Sequence, residues 1–198
     1  MRHVNNTSGW DCQLKSSGIL MSIKTYTTLA EALTGKDIPE SVKETLNLID
    51  VEYWSFENHR GIGQLVVHRD LAVEVKTIFA EIAAGRFPIE KIIPVGAYDW
   101  SDDASMEGNN SSAFNYRNIV GGENLSQHAF GRAIDINPRQ NPYVKGDIVL
   151  PPKAVYAPDV PGTITPGDVV VEAFLKRGWD WGGNWQRLKD WQHFEKRA

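Results

Sequence analysis

The sequence predicts one domain of mixed helix and strand, and three observations carry that expectation. Its 198 residues come to little more than one typical domain of roughly 150 residues, enough to bury a sizeable core. Two β-like segments, VEYWSF (51–56) and GQLVVH (63–68), flank the turn-rich ENHRG and suggest an antiparallel pair. Directly after them Leu71, Val75, Ile78, Phe79 and Ile82 form one apolar stripe at helical spacing.

The elements follow in order. Residues 1–20 are polar and aperiodic and Met21 offers a second start, so 1–35 read as an N-terminal extension, disordered or non-native, ahead of a single domain over 36–198. Ile38, Val42, Leu46 and Ile49 recur at helical spacing, with Pro39 tolerated in the first turn, and predict a helix over 38–49. The stripe from Leu71 predicts a second helix, capped by Asp70 and ended by Gly85. KIIPVGAY (91–98) reads as a strand that Pro94 confines to an edge or a bulge. In AIDIN (133–137) Ile134 and Ile136 share one side, which aims Asp135 away from the apolar face. Seven of the ten prolines lie between Pro138 and Pro166, so 138–166 reads as a long surface loop of the kind that rims functional sites. Asp168 opens a third helix over about 169–177, stopped by Gly178. Four of the seven Trp (Trp179, Trp181, Trp185 and Trp191) crowd the last twenty residues, as a core patch or a carbohydrate-stacking platform.

Composition excludes several classes. A net charge of −4 and a pI near 5.7 leave no basic field for nucleic acid. No segment approaches the roughly 18–20 apolar residues that cross a bilayer, and the opening stretch lacks the apolar region of a signal peptide, so a soluble chain without an export signal is expected. The single cysteine, Cys12, excludes an internal disulfide and a thiolate metal cluster, which leaves His and carboxylates as metal ligands.

Among the five histidines, His3, His59 and His68 lack supporting neighbours, whereas His128 and His193 each sit near carboxylates, in SQHAFGRAID (126–135) and DWQHFE (190–195). Two His and one Asp form a catalytic zinc set with the fourth position open. Gly131 permits the bend that would return Asp135 to His128. The competing reading is two hydrogen-bonded core histidines with Asp135 capping a loop. Asp190 and Glu195 both stand within reach of His193 as candidate bases, and spacing does not choose between them. Upstream, the polar stretch from Asn109 ends on Arg117, whose guanidinium suits a carboxylate or a developing oxyanion.

With Ser126-x-His128-x-x-Gly131-x-Ala133-x-Asp135 and Asp190-x-x-His193-Phe194-Glu195, preceded by Trp181-Gly-Gly-Asn-Trp185, the sequence resembles the zinc D-Ala-D-Ala carboxypeptidases and L-Ala-D-Glu endopeptidases of bacterial cell walls and phage endolysins, which share the hedgehog fold. The resemblance runs from about residue 50 to the C-terminus. It implies an α+β fold, a small antiparallel sheet packed with helices and a zinc site on the sheet face. It also implies one zinc ion held by His128, Asp135 and His193, with Asp190 as catalytic acid/base and Arg117 polarising the scissile carbonyl. Tyr116 and Ser126 would be substrate-binding or supporting residues. Some members carry Glu where this chain has Asp190, and the shorter arm changes which water it reaches.

The expected activity is hydrolysis of the peptidoglycan stem peptide by zinc-activated water with Asp190 as general base, in a monomer without nucleic-acid partners. A non-catalytic zinc-stabilised binding module of the same fold is the alternative, and a thiol hydrolase built on Cys12 is the poorest reading. The motifs leave open which bond is cut, as well as the compartment, since the substrate lies outside the cytoplasmic membrane.

Overall fold

The computed structural model describes residues 21–22 and 26–197, so residues 1–20, with His3 and Cys12, lie outside the described residues. In chain order, β1 (Met21–Ser22), α1 (Leu29–Ala32), α2 (Glu40–Lys43), β2 (Leu46–Trp54) and β3 (Arg60–His68) lead to α3 (Ala72–Ala84). Next come β4 (Lys91–Ile92), α4 (Asp102–Glu107), β5 (Asn110–Ser111), β6 (Ala133–Asp135), β7 (Tyr143–Lys145) and β8 (Ile148–Leu150). The chain closes with α5 (Val169–Leu175), β9 (Asp180–Trp181), β10 (Lys189–Asp190) and β11 (His193–Glu195). This is an α+β architecture of small sheets, ordered β1-β3-β2, β10-β7-β8 and β6-β11-β9, with β4 and β5 as a parallel pair. Among the described residues no helix is long and apolar enough to cross a membrane.

The expected hairpin is present and longer than its two segments, with nine residues of β2 antiparallel to nine of β3, from Leu46 opposite His68 to Trp54 opposite Arg60. That length overturns the helix over 38–49, of which only Glu40–Lys43 is α-helical. The cause is a hairpin buried on both faces. Ile49, Val51, Tyr53, Leu65 and Val67 face the main core, while Leu46 and Val66 join a second cluster with Ala32, Leu33, Ile38 and Phe114.

The stripe of α3 is as expected, with Val75, Ile78, Phe79 and Ile82 fully buried against β2; such side chains contribute roughly 1.5–3 kcal/mol each. Asp70 does not cap this helix. It sits in a 3-10 turn, Arg69–Leu71, where its N–H donates to His68 Nδ1 at 3.3 Å, and the helix starts after Leu71 without a side-chain cap. Asp168 does cap α5, accepting from the Val171 N–H at 3.0 Å. The two helices are clamped by Arg177, which donates to both Glu81 oxygens at 2.8 and 3.1 Å. Arg177 and Lys176 hold the Glu81 carboxyl down at about 2.

Of the strand expected over 91–98 only Lys91–Ile92 pairs; Pro94, without an N–H to give, leads instead into a 3-10 turn over Val95–Tyr98. The segment 138–166 is not a plain surface loop. It contains the β7–β8 hairpin, and Asn141 and Ile164 within it are fully buried. Asn141 serves as an internal staple: its Nδ2 donates to the carbonyls of Ile136 and Gly162 at 3.1 and 2.9 Å, and its Oδ1 accepts from Ile164 N–H at 2.7 Å.

Candidate active site

The site is assembled from one turn and two paired strands. Ser126 begins a 3-10 turn over Gln127–Phe130, its Oγ accepting from the His128 N–H at 3.3 Å. Gly131 ends the turn at φ +64°, and a Cβ there would fall 2.5 Å from the His68 nitrogen of β3. Only glycine lets the turn close against that strand, and its carbonyl then accepts from His68 N–H at 2.8 Å. Four residues later Asp135 pairs directly opposite His193 in the β6–β11 register.

These elements bring the three expected ligands together, all buried. His128 Nε2 lies 3.1 Å from Asp135 Oδ2, His193 Nδ1 lies 3.0 Å from Asp135 Oδ1, and the two imidazole nitrogens are 3.2 Å apart. For ligand atoms about 2.0–2.1 Å from a tetrahedral zinc, neighbouring ligands stand roughly 3.3 Å apart, so the spacing fits one such ion. The outer nitrogen of each ring is occupied: His128 Nδ1 by the Ala113 carbonyl, and His193 Nε2 by Glu195 Oε2 at 3.2 Å. With those nitrogens donating, the inward lone pairs converge on the site, as metal-binding imidazoles require. Burial works against charge here, yet hydrogen bonds to Asp135 and Glu195 push His193 up to about 10. Against the same burial penalty the two histidines hold Asp135 well below the usual carboxylate range. A divalent cation replaces the proton in such a cluster.

Asp190 lies beside this set but on another sheet, in β10 opposite Tyr143 of β7. Burial, together with the charge of Asp135 and against the pull of His193, raises its carboxyl to about 7, and among the described residues Oδ1 has no hydrogen-bond partner. The Gly182–Asn184 turn passes against it so tightly that a Cβ on Gly182 would stand 2.5 Å from the Asp190 carbonyl. Glu195, the other candidate base, is engaged at both oxygens, by His193 and by Arg197 Nε at 2.8 Å, and these partners bring its carboxyl below the usual range against its burial. It orients a ring, whereas Asp190, its Oδ1 buried, lines an internal space.

That space is a cavity of about 380 Å³ reaching from the His128/Asp135/His193 cluster to the β7–β8 hairpin, with Tyr143 and Lys145 in its wall. Arg117 lines it, its Nη2 held by Asp102 Oδ2 at 3.0 Å. Asp102, at the start of α4, had no signal beyond a polar helix start; it also accepts from Asn115 Nδ2 at 3.2 Å. Ser126 lines the cavity too, but Tyr116 does not and packs instead against the second apolar cluster. Neither His59 nor His68 lines it. The tryptophans divide by position. Trp181 is buried, its indole N–H donating to the Trp191 carbonyl at 3.0 Å, and Trp191 stacks on Tyr156 at 4.0 Å. Trp185 alone among them lines the cavity, its ring 5.5 Å from that of His193.

Comparison with curated proteins gives no match, and neither does comparison with solved structures. A family model described as D-alanyl-D-alanine carboxypeptidase matches residues 120–196, the segment that carries His128, Asp135, Asp190 and His193. Over that segment the chain is similar to the D-alanyl-D-alanine carboxypeptidases, a family of metallopeptidases.

Proposed function

We propose that this protein is a zinc peptidase acting on the stem peptide of peptidoglycan, as a D-Ala-D-Ala carboxypeptidase or an L-Ala-D-Glu endopeptidase. The observation that carries the proposal is the convergence of His128 Nε2, Asp135 and His193 Nδ1 within hydrogen-bond distance, at the edge of a cavity that also presents Asp190 and Arg117. A zinc ion held by these three residues would supply a Lewis acid that acidifies a water and polarises the scissile carbonyl.

The protein's own groups account for the remaining work. Asp190, whose burial raises its proton affinity, takes the proton of the attacking water and returns it to the leaving amine. Arg117, anchored by Asp102, presents a fixed cation toward the oxyanion that develops on the substrate. Ala113 and Glu195 keep the two imidazoles in the ligating tautomer. Ser126 supports the His128 turn through its cap. The peptidase domain is taken to span residues 36–198 of a monomer, with the described part of the preceding segment packed onto it through Ala32 and Leu33.

The reading is tested by elemental analysis of purified protein and mass spectrometry of products from a muramyl pentapeptide. One zinc per chain and loss of a single terminal alanine, or release of the stem at its first D-Glu bond, is expected. Stoichiometric zinc with no cleavage of either bond would leave the non-catalytic binding module as the better reading.

A further inference from the structure

Gln192 stands between the general-base candidate Asp190 and the ligand His193, and neither metal binding nor proton transfer calls on it. Its backbone is woven into the sheet, with the carbonyl accepting from the Ile136 N–H at 3.0 Å. Its side chain is 2 % exposed and lines the same cavity. A carboxamide carries two donors and an acceptor with two lone pairs, and buried ones are normally paired within the protein. Here Nε2 reaches only the Met106 thioether at 3.8 Å, and Oε1 has no partner among the described residues.

Two more buried atoms without partners, Arg117 Nε and Asp190 Oδ1, belong to residues of the same cavity. The unpaired buried side-chain atoms of residues lining this cavity are thus a guanidinium donor, a carboxylate acceptor and an amide oxygen whose nitrogen meets only sulfur. The complement of a carboxamide whose oxygen is unpaired and whose nitrogen meets only a thioether is another amide, which returns a donor to Oε1 and an acceptor to Nε2 in one plane. A peptide backbone offers that pattern at every bond.

We propose that Gln192 is a substrate-recognition residue that pairs through its carboxamide with a backbone amide of the bound peptide, next to the bond that is cut, above a floor supplied by Met106. The inference rests on the peptidase reading of the site and adds a specificity contact to it. A Gln kept for the fold would be destabilising to replace with an apolar residue; one kept for a ligand is not, because its removal takes an unpaired amide out of the interior.

The decisive comparison is Gln192→Met against wild type in the zinc-loaded full chain. The expected result is a ~10- to 100-fold fall in kcat/KM on the muramyl pentapeptide, mostly through KM, as for loss of one or two buried hydrogen bonds. Zinc content should stay at one per chain, and the melting temperature of the peptide-free protein should be unchanged or higher. A kcat/KM within twofold of wild type, or a melting temperature several degrees lower, would overturn the proposal. Should Gln192→Met fail to fold, Gln192→Glu keeps the volume and an acceptor while losing both donors, and is expected to weaken turnover in the same way. If wild type holds zinc but cleaves nothing, the peptidase reading fails separately. Equilibrium binding of the pentapeptide, at least ~10-fold weaker in Gln192→Met, then decides for Gln192, and equal binding decides against it.

Discussion

Replacing Gly131 with alanine tests the local geometry on which the ligand set depends. The new Cβ would stand 2.5 Å from the His68 nitrogen and 2.8 Å from the Val67 carbonyl carbon, both backbone atoms of a paired strand that cannot rotate aside. The φ of +64° adds a left-handed penalty of about 1–2 kcal/mol for a residue with a side chain, and overpacking of this kind costs about 1–3 kcal/mol. Together they predict a loss of about 2–5 kcal/mol, or a melting temperature lower by roughly 4–20 °C in a chain of this size. Gly146 is the internal control, since it has φ +58° but nothing within 4 Å of the position a Cβ would take. Gly146→Ala should show the conformational penalty alone, about 1–2 kcal/mol. Because the Gly131 N–H also closes the turn onto the His128 carbonyl at 3.1 Å, Gly131→Ala should weaken zinc binding in a competition titration, and Gly146→Ala should not. Melting curves of the metal-free proteins in chelator give the first number. Equal melting temperatures for the two variants, or unaltered zinc affinity in Gly131→Ala, would refute the reasoning.

Asp190→Asn should retain zinc and lose ~10²- to 10⁴-fold in turnover. The base works when deprotonated, so wild-type activity should rise with pH through a limb at or below about 7, the nearby cation lowering it, and that limb should vanish in the variant. Zinc affinity should increase with pH, because in the metal-free protein His193 keeps a proton up to about 10 and the ion must displace it; isothermal titration at several pH values reads this. Chelation should lower the melting temperature, corresponding to about 4 kcal/mol when free zinc had been 1,000 times its Kd. For Glu81 the folded value is depressed to about 2, so its stabilising effect is complete above about 4.5 and is lost as pH falls toward 2. Glu81→Gln should therefore be less stable than wild type at neutral pH, and the gap should close in acid unfolding curves.

What could be read from the sequence depended on whether the informative contacts were local. The stripe of α3 and the cap of α5 are written within one or two turns of chain, and both appear as expected. Of the candidate ligands, His128 and Asp135 lie close in sequence across one turn, whereas the pairing of Asp135 with His193, 58 residues further on, had no local signal and came from the resemblance. The helix expected over 38–49 failed for a definite reason. Leu46 and Leu48 serve one side of the hairpin while Ile49 and Val51 serve the other, so two half-patterns overlap and imitate a single helical one. The proline-rich 138–166 segment hid its order because Asn141 satisfies its backbone from a distance. Asp102 lies 15 residues before its partner Arg117, with no periodicity to connect them.

The ligand strands β6 and β11 belong to one sheet and Asp190 to another, the sheet it shares with the β7–β8 hairpin. Under the proposed function, metal capture and proton transfer would therefore rest on different sheets, joined by the two residues between Asp190 and His193. A change in hairpin length or in the Tyr143–Asp190 register would move the Asp190 carboxylate first and reach His193 only through Trp191 and Gln192. Under the proposed function, variation of 138–166 would retune the reach of Asp190 while the turn that carries His128 and the strand that carries Asp135 stay in place.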